Sequence, residues 1–187
     1  VLDVSGSMDD PMGNGDSKKR IVALREAVNS FIESSAEAND KRADVNKQNR
    51  IAVVKFAGNK TNSVGNDQYR QSGYSYNYTQ VVAKYKAYTS GTTSELKTKV
   101  NALKPAGCTA ADYAMDLTKD LVDQSKTDAN NNADRKNVKR VVIFFTDGEP
   151  NHQSGFVDDV ANDAIKFAKD IKADADIYTI GIFSGSD

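Results

Sequence analysis

The chain is poor in the residues that staple or ligate: one cysteine, one histidine, three prolines and no tryptophan among 187 residues. A lone Cys108 excludes an internal disulfide, so no covalent bridge marks an oxidising compartment. With His152 it leaves too few nitrogen and sulfur donors for a structural zinc cage. No apolar run approaches the about 20 residues of a membrane-spanning helix, and no signal-peptide pattern opens the sequence; the segment itself is expected to be soluble, whatever its parent. Charge of either sign is not in excess, since 25 basic and 26 acidic residues give a net of −1. That balance argues against nucleic acid or an anionic membrane as partner, and Lys18-Lys19-Arg20 is too short a basic cluster to reverse it.

What remains is the make-up of one globular domain, 39% hydrophobic and 27% charged, long enough to bury a sizeable core. Val1 to Val4 reads as the end of a buried strand. Ile21, Leu24, Val28, Phe31 and Ile32 recur at helical spacing, which predicts a helix from about Lys18 to Ala38 with Asp16 or Ser17 as N-cap. Arg50 to Ala57 is strand-like. Residues 58–79 lack periodicity and carry Tyr69, Tyr74, Tyr76 and Tyr78, reading as a long loop of the kind that has a task. Its tyrosines suit either a recognition surface or a loop packed on itself. Two Asn-x-Thr sequons, at Asn59 and Asn77, are matches that an Asn-rich stretch makes easily by chance.

Val81 to Tyr88 is expected as an antiparallel edge strand. Thr92 and Glu95 form a capping-box pattern for a short helix through Leu96, Val100 and Leu103. Thr109 opens a further helix whose stripe runs through Ala111, Ala114, Met115, Leu121 and Val122, followed by a polar connector from Asp123 to Asn137. Arg140 to Thr146 is a near-continuous apolar run, the pattern of a central parallel strand. A helix marked by Phe156, Val160, Ala164, Phe167, Ala168 and Ile171 and a strand from Asp176 to Phe183 complete the series. Strands alternating with helices predict an α/β fold: a doubly wound, mostly parallel sheet with one antiparallel edge strand and helices on both faces. The whole of 1–187 reads as a single domain with insertions at about 9–16 and 58–79.

Asp3, Ser5 and Ser7 place small oxygen-bearing side chains on alternate residues just past the first strand. Thr109, before a helix, and Asp147, directly after the apolar run, supply two more. In sheets of this type ligands bind beyond the carboxyl ends of the strands, which puts Asp3, Ser5, Ser7 and Asp147 on that face. Carboxylates and hydroxyls without nitrogen or sulfur suit a hard cation such as Mg²⁺, Mn²⁺ or Ca²⁺. A bland reading stands beside this for Asp3, Ser5 and Ser7, which are also the residues of a turn that caps a helix. Asp112 and Asp116 read as structural, Glu149 as a solvated loop carboxylate or a residue of the outer sphere, and Cys108 as a small packed hydrophobe. Val4-Ser5-Gly6-Ser7 lacks the nucleophile elbow, and no general base is evident, so no enzymatic role is expected.

Asp3-Val4-Ser5-Gly6-Ser7, Thr109 and Thr146-Asp147-Gly148 together resemble the metal-ion-dependent adhesion site of the von Willebrand factor type A, or integrin I, domain. That resemblance implies a divalent metal at the top of the sheet, with an acidic group of a partner completing its coordination. The wording VLDVSGSM…DDPMG and KRVVIFFTDGEPN looks like the adhesion domains of Gram-positive surface and pilus-tip proteins. It implies display on the cell wall or cell surface and a protein or glycan ligand, including host extracellular matrix. Against the full family pattern, a last strand and helix would lie beyond Asp187. The rival from another class is an intracellular assembly subunit of a chelatase- or chaperone-type complex.

Overall fold

The computed structural model describes residues 1–59, 65–153 and 155–182. Five strands form one sheet: β1 (Leu2–Asp3), β4 (Arg50–Phe56), β7 (Gln80–Ala87), β8 (Val141–Thr146) and β9 (Asp176–Gly181), in the order β7-β4-β1-β8-β9. All neighbours are parallel except β7, which runs antiparallel to β4 at one edge. The expected doubly wound sheet is therefore present. Phe183, expected to close the last strand, lies outside the described residues.

Helices α1 (Arg20–Asp40) and α2 (Ser94–Asn101) cover one face, and α3 (Ala111–Asn131) and α4 (Asp158–Ile171) the other. On the first face Ile21, Leu24, Val28 and Ile32 of α1 pack with Leu96 and Val100 of α2 over Leu2 and Val53. On the second, Ala111, Ala114, Met115 and Val122 of α3 meet Ala164 and Ile171 of α4 over Phe56, Val142 and Phe144. Phe56 and Phe144 stack across this layer at 4.9 Å between centroids. The division follows from strand geometry, because successive side chains alternate between faces and Val53 and Phe56 consequently serve different cores.

Several boundaries differ from expectation for local reasons. The first long helix begins at Arg20, not Lys18, because Asp16–Lys19 is a strand, β3, paired antiparallel with β2 (Pro11–Gly13). Asp16 therefore accepts the Lys18 backbone N–H within that hairpin and caps no helix. Gly13, Asn14 and Gly15 all have positive φ, the conformation that an Asn-Gly hairpin turn demands. Likewise the segment expected as unbroken loop holds a hairpin, β5 (Gln68–Gln71) with β6 (Tyr74–Asn77), turned by Ser72 and Gly73 at φ 51 and 84. The capping box at Thr92 is absent: its hydroxyl bonds back to Thr89, while Glu95 pairs with Lys86 and Lys99. Helix α3 also runs to Asn131 through the polar stretch expected to be a connector, carried by Lys119–Asp123 spaced four apart. Phe156 lies ahead of α4 and is exposed.

The sheet order fixes where a ligand can sit. From β1 the chain winds through α1 to β4 on one side, and from β8 through α4 to β9 on the other. The crevice at the carboxyl ends of β1 and β8 is thus the point where the winding reverses, the standard ligand position in open α/β sheets.

Candidate metal centre

Asp3 ends β1 and Asp147 follows β8, so the two carboxylates flank that crevice. Both are buried, Asp3 completely. Asp3 Oδ1 accepts the Ser5 backbone N–H at 2.8 Å and Oδ2 accepts the Thr146 hydroxyl at 2.8 Å. Ser7 Oγ donates to Asp147 Oδ1 at 2.9 Å and lies 3.1 Å from Ser5 Oγ. One continuous hydrogen-bonded group thus links Asp147, Ser7 and Ser5, with Asp3 joined to it through the Ser5 backbone. Thr109 arrives from the third loop. A Cβ placed on Gly148 would stand 3.3 Å from Thr109 Oγ1 and 3.7 Å from Ser7 Oγ, so both hydroxyls border one small space that glycine leaves clear. All five residues singled out in the sequence are brought to one rim.

The loops that carry them are tied to each other. Gly6 N–H donates to Gly107 O at 2.8 Å, Ala106 N–H to Val4 O at 2.9 Å, and Cys108 N–H to Gly58 O at 2.8 Å. Gly107 has φ 101, and a side chain there would meet the Gly58 nitrogen at 3.2 Å and the Tyr76 ring at 3.3 Å. Buried Asn77 sits beneath, its Nδ2 within reach of the carbonyls of Val4, Lys104 and Ala106. That burial rules out Asn77 as a glycan acceptor; the Asn59 sequon runs into residues outside those described.

Residues to which the sequence pattern assigned no site role complete the assembly. Asn151 accepts the Thr109 N–H through Oδ1 at 3.2 Å and donates its own N–H to Thr109 O at 3.0 Å, locking the loop after Asp147 to the start of α3. Asp112 pairs with His152 at 2.9 Å, and His152 stacks on Tyr113 at 4.6 Å. Burial raises Asp112 and the bond to His152 opposes this. Asp116 and Glu149 are exposed. Arg20 Nη1 donates to Asp147 Oδ2 at 2.8 Å, an ion pair in which the carboxylate is fully buried and the arginine 16% exposed. Only its place in a basic triplet was visible in the sequence. The tyrosines of the second hairpin are largely packed on one another, Tyr69 against Tyr76 at 5.3 Å and Tyr78 at 4.4 Å, while Tyr74 is exposed at the tip.

The electrostatics ask for a cation. Burial raises the Asp3 carboxyl to about 6, with the Asp147 charge adding to the rise and hydrogen bonds from Ser5 and Thr146 opposing it. Among the described residues Asp3 has no basic partner. The donor set is oxygen only, and among the described residues no three His, Cys, Asp or Glu side chains converge, so carboxylates alone would not build the site. Two carboxylates, three hydroxyls and a cleared space beside Gly148 fit a hard divalent ion that keeps water or takes an outside ligand.

A sheet wound in both directions from a crevice that gathers acidic and hydroxyl side chains defines a doubly wound α/β domain. The chain belongs to the von Willebrand factor type A domain family, whose sequence model matches residues 1–187. Domains of this family commonly serve in protein interaction and adhesion. No curated protein matches the chain. Among the described residues no helix is long and apolar enough to cross a membrane.

Proposed function

We propose that this domain is a divalent-metal-dependent binding module in which Asp3, Ser5, Ser7, Thr109 and Asp147 hold Mg²⁺, or Mn²⁺ or Ca²⁺, and an acidic group of a protein or glycan partner completes the coordination. The observation that carries this is the pair of buried carboxylates at the winding reversal, one of them without a basic partner among the described residues. A bound ion would supply an electrophilic position for a carboxylate oxygen. The chain's own part is to hold the ligands ready: Ser5 N–H and Thr146 Oγ1 orient Asp3, Ser7 orients Asp147, and Asn151 seats the Thr109 loop. The His152–Asp112 pair beside the crevice has no serine or cysteine hydrogen-bonded to it among the described residues, so recognition suits the site better than nucleophilic catalysis. The motif wording supports display on a Gram-positive surface or pilus, with extracellular-matrix components as ligands.

Calorimetric titration with Mg²⁺ and Mn²⁺, beside a chelator-sensitive screen against matrix proteins, tests the reading. Stoichiometric binding that Asp147→Ala abolishes is expected. A wild-type protein that binds neither ion would overturn it.

A further inference from the structure

Asp147 is shared between two donors on opposite sides, Ser7 Oγ on Oδ1 and Arg20 Nη1 on Oδ2. The arginine comes from a built position. Arg20 is the first residue of α1, its N–H donates to Asp10 O at 3.0 Å, and Pro11 pairs with Lys19 at the open end of the β2–β3 hairpin. The hairpin, not a flexible loop, delivers the guanidinium to the crevice. Neighbouring Lys19 is spent elsewhere, on Asp9 at the surface. Arg20 Nε is buried and finds no acceptor among the described residues, so Asp147 is the one carboxylate the guanidinium serves.

Resting on the metal reading above, we propose that Arg20 is a fixed counter-cation that weakens the site's hold on a free divalent ion and strengthens its hold on an ion together with an anionic partner. The charge count supplies the reason. Asp3 and Asp147 would neutralise a divalent ion between them, and a neutral centre has little pull on a further anion. Arg20 makes the assembled centre net positive. It repels the ion across the shared carboxylate, in a buried setting where charges are weakly screened. The same charge attracts the carboxylate of a partner and disfavours neutral or basic ones. Arg20 is thus a positioning residue for Asp147 and a specificity determinant for the ligand. It also assigns a role to the hairpin insertion.

The test is Mn²⁺ titration by calorimetry at fixed ionic strength, without and with acetate as the carboxylate probe, on wild type, Arg20→Gln and Arg20→Lys. Removing the charge should tighten binding of Mn²⁺ alone about tenfold, which is about 1.4 kcal/mol. It should also remove most of the tightening that acetate produces in wild type. Arg20→Lys, which keeps the charge, should stay within about threefold of wild type in both measurements. Wild type that binds no Mn²⁺ would sink the metal reading itself. Wild type that binds Mn²⁺ while Arg20→Gln binds it equally or more weakly would overturn the role of Arg20 alone. So would an Arg20→Gln protein that fails to fold in EDTA and is not repaired by lysine, because the arginine would then be a structural brace.

Discussion

Replacing Asp3 with Asn in metal-free protein separates the cost of the site from its use. In the fold Asp3 is raised from 3.8 to about 6 by burial first, with the Asp147 charge adding to the rise against its hydrogen bonds. At 1.36 kcal/mol per pH unit of displacement, holding it ionised at pH 7 costs the folded state about 3 kcal/mol. The sign follows from proton counting. Between pH 3.8 and about 6 the folded state keeps a proton that the unfolded chain has lost, so this contribution to stability falls as pH rises through that window. An amide in its place carries no such cost and fits locally. Its oxygen can accept the Ser5 N–H, and its NH₂ can donate to Thr146 Oγ1, whose hydroxyl can turn to Gly148 O. In EDTA at pH 7, Asp3→Asn should therefore melt above wild type, by about 2–4 °C per kcal/mol for a domain of this size. The gap should narrow by about 1 kcal/mol at pH 5. With Mg²⁺ at about 1,000 times its Kd the order reverses, wild type gaining about 4.1 kcal/mol and the variant little. Thermal melts by circular dichroism in EDTA and in Mg²⁺, at both pH values, read all of this. A variant less stable than wild type in EDTA at pH 7, or a gap that ignores pH, would refute the reasoning.

Two further substitutions probe the rim. Gly148→Ala puts a methyl 3.3 Å from Thr109 Oγ1 and 3.7 Å from Ser7 Oγ, with a backbone conformation that alanine accepts. Stability should change by under about 1 kcal/mol, while calorimetry should show Mn²⁺ affinity reduced severalfold; unchanged affinity would remove Thr109 from the ligand set. Asn77→Ala removes a side-chain donor from the buried Val4 carbonyl and from the partly buried carbonyls of Lys104 and Ala106. A loss of about 1–3 kcal/mol in urea unfolding is expected, and a neutral result would show that the hairpin is not a prop of the site.

Most of the architecture was legible because periodicity reports burial. The spacing of Ile21, Leu24, Val28 and Ile32, and the apolar run from Val141, mark a helix face and a covered strand before any coordinates. Boundaries were less legible where local chemistry competed. Asp16 and Ser17 look like helix caps, yet the Asn-Gly turn immediately before them draws them into a hairpin. The Ser72-Gly73 turn was likewise a readable signal inside a stretch whose polar, tyrosine-rich composition suggested loop. Polar residues 123–131 continue α3 because ion pairs along the helix and buried Leu121, Val122 and Ala129 outweigh their low propensity.

By itself the sequence determined which oxygen-bearing side chains stand at the ends of β1 and β8 and at the start of α3, since strand ends and helix starts are local properties of the chain. That these segments converge, that Asp3 lies buried without a basic partner among the described residues, and that Arg20 reaches across to Asp147 were decided only by the tertiary structure. The physical reason is range. Hydrogen-bonded periodicity acts over a few residues, whereas the Arg20–Asp147 pair joins positions 127 apart in sequence, brought together only when the sheet closes around β1.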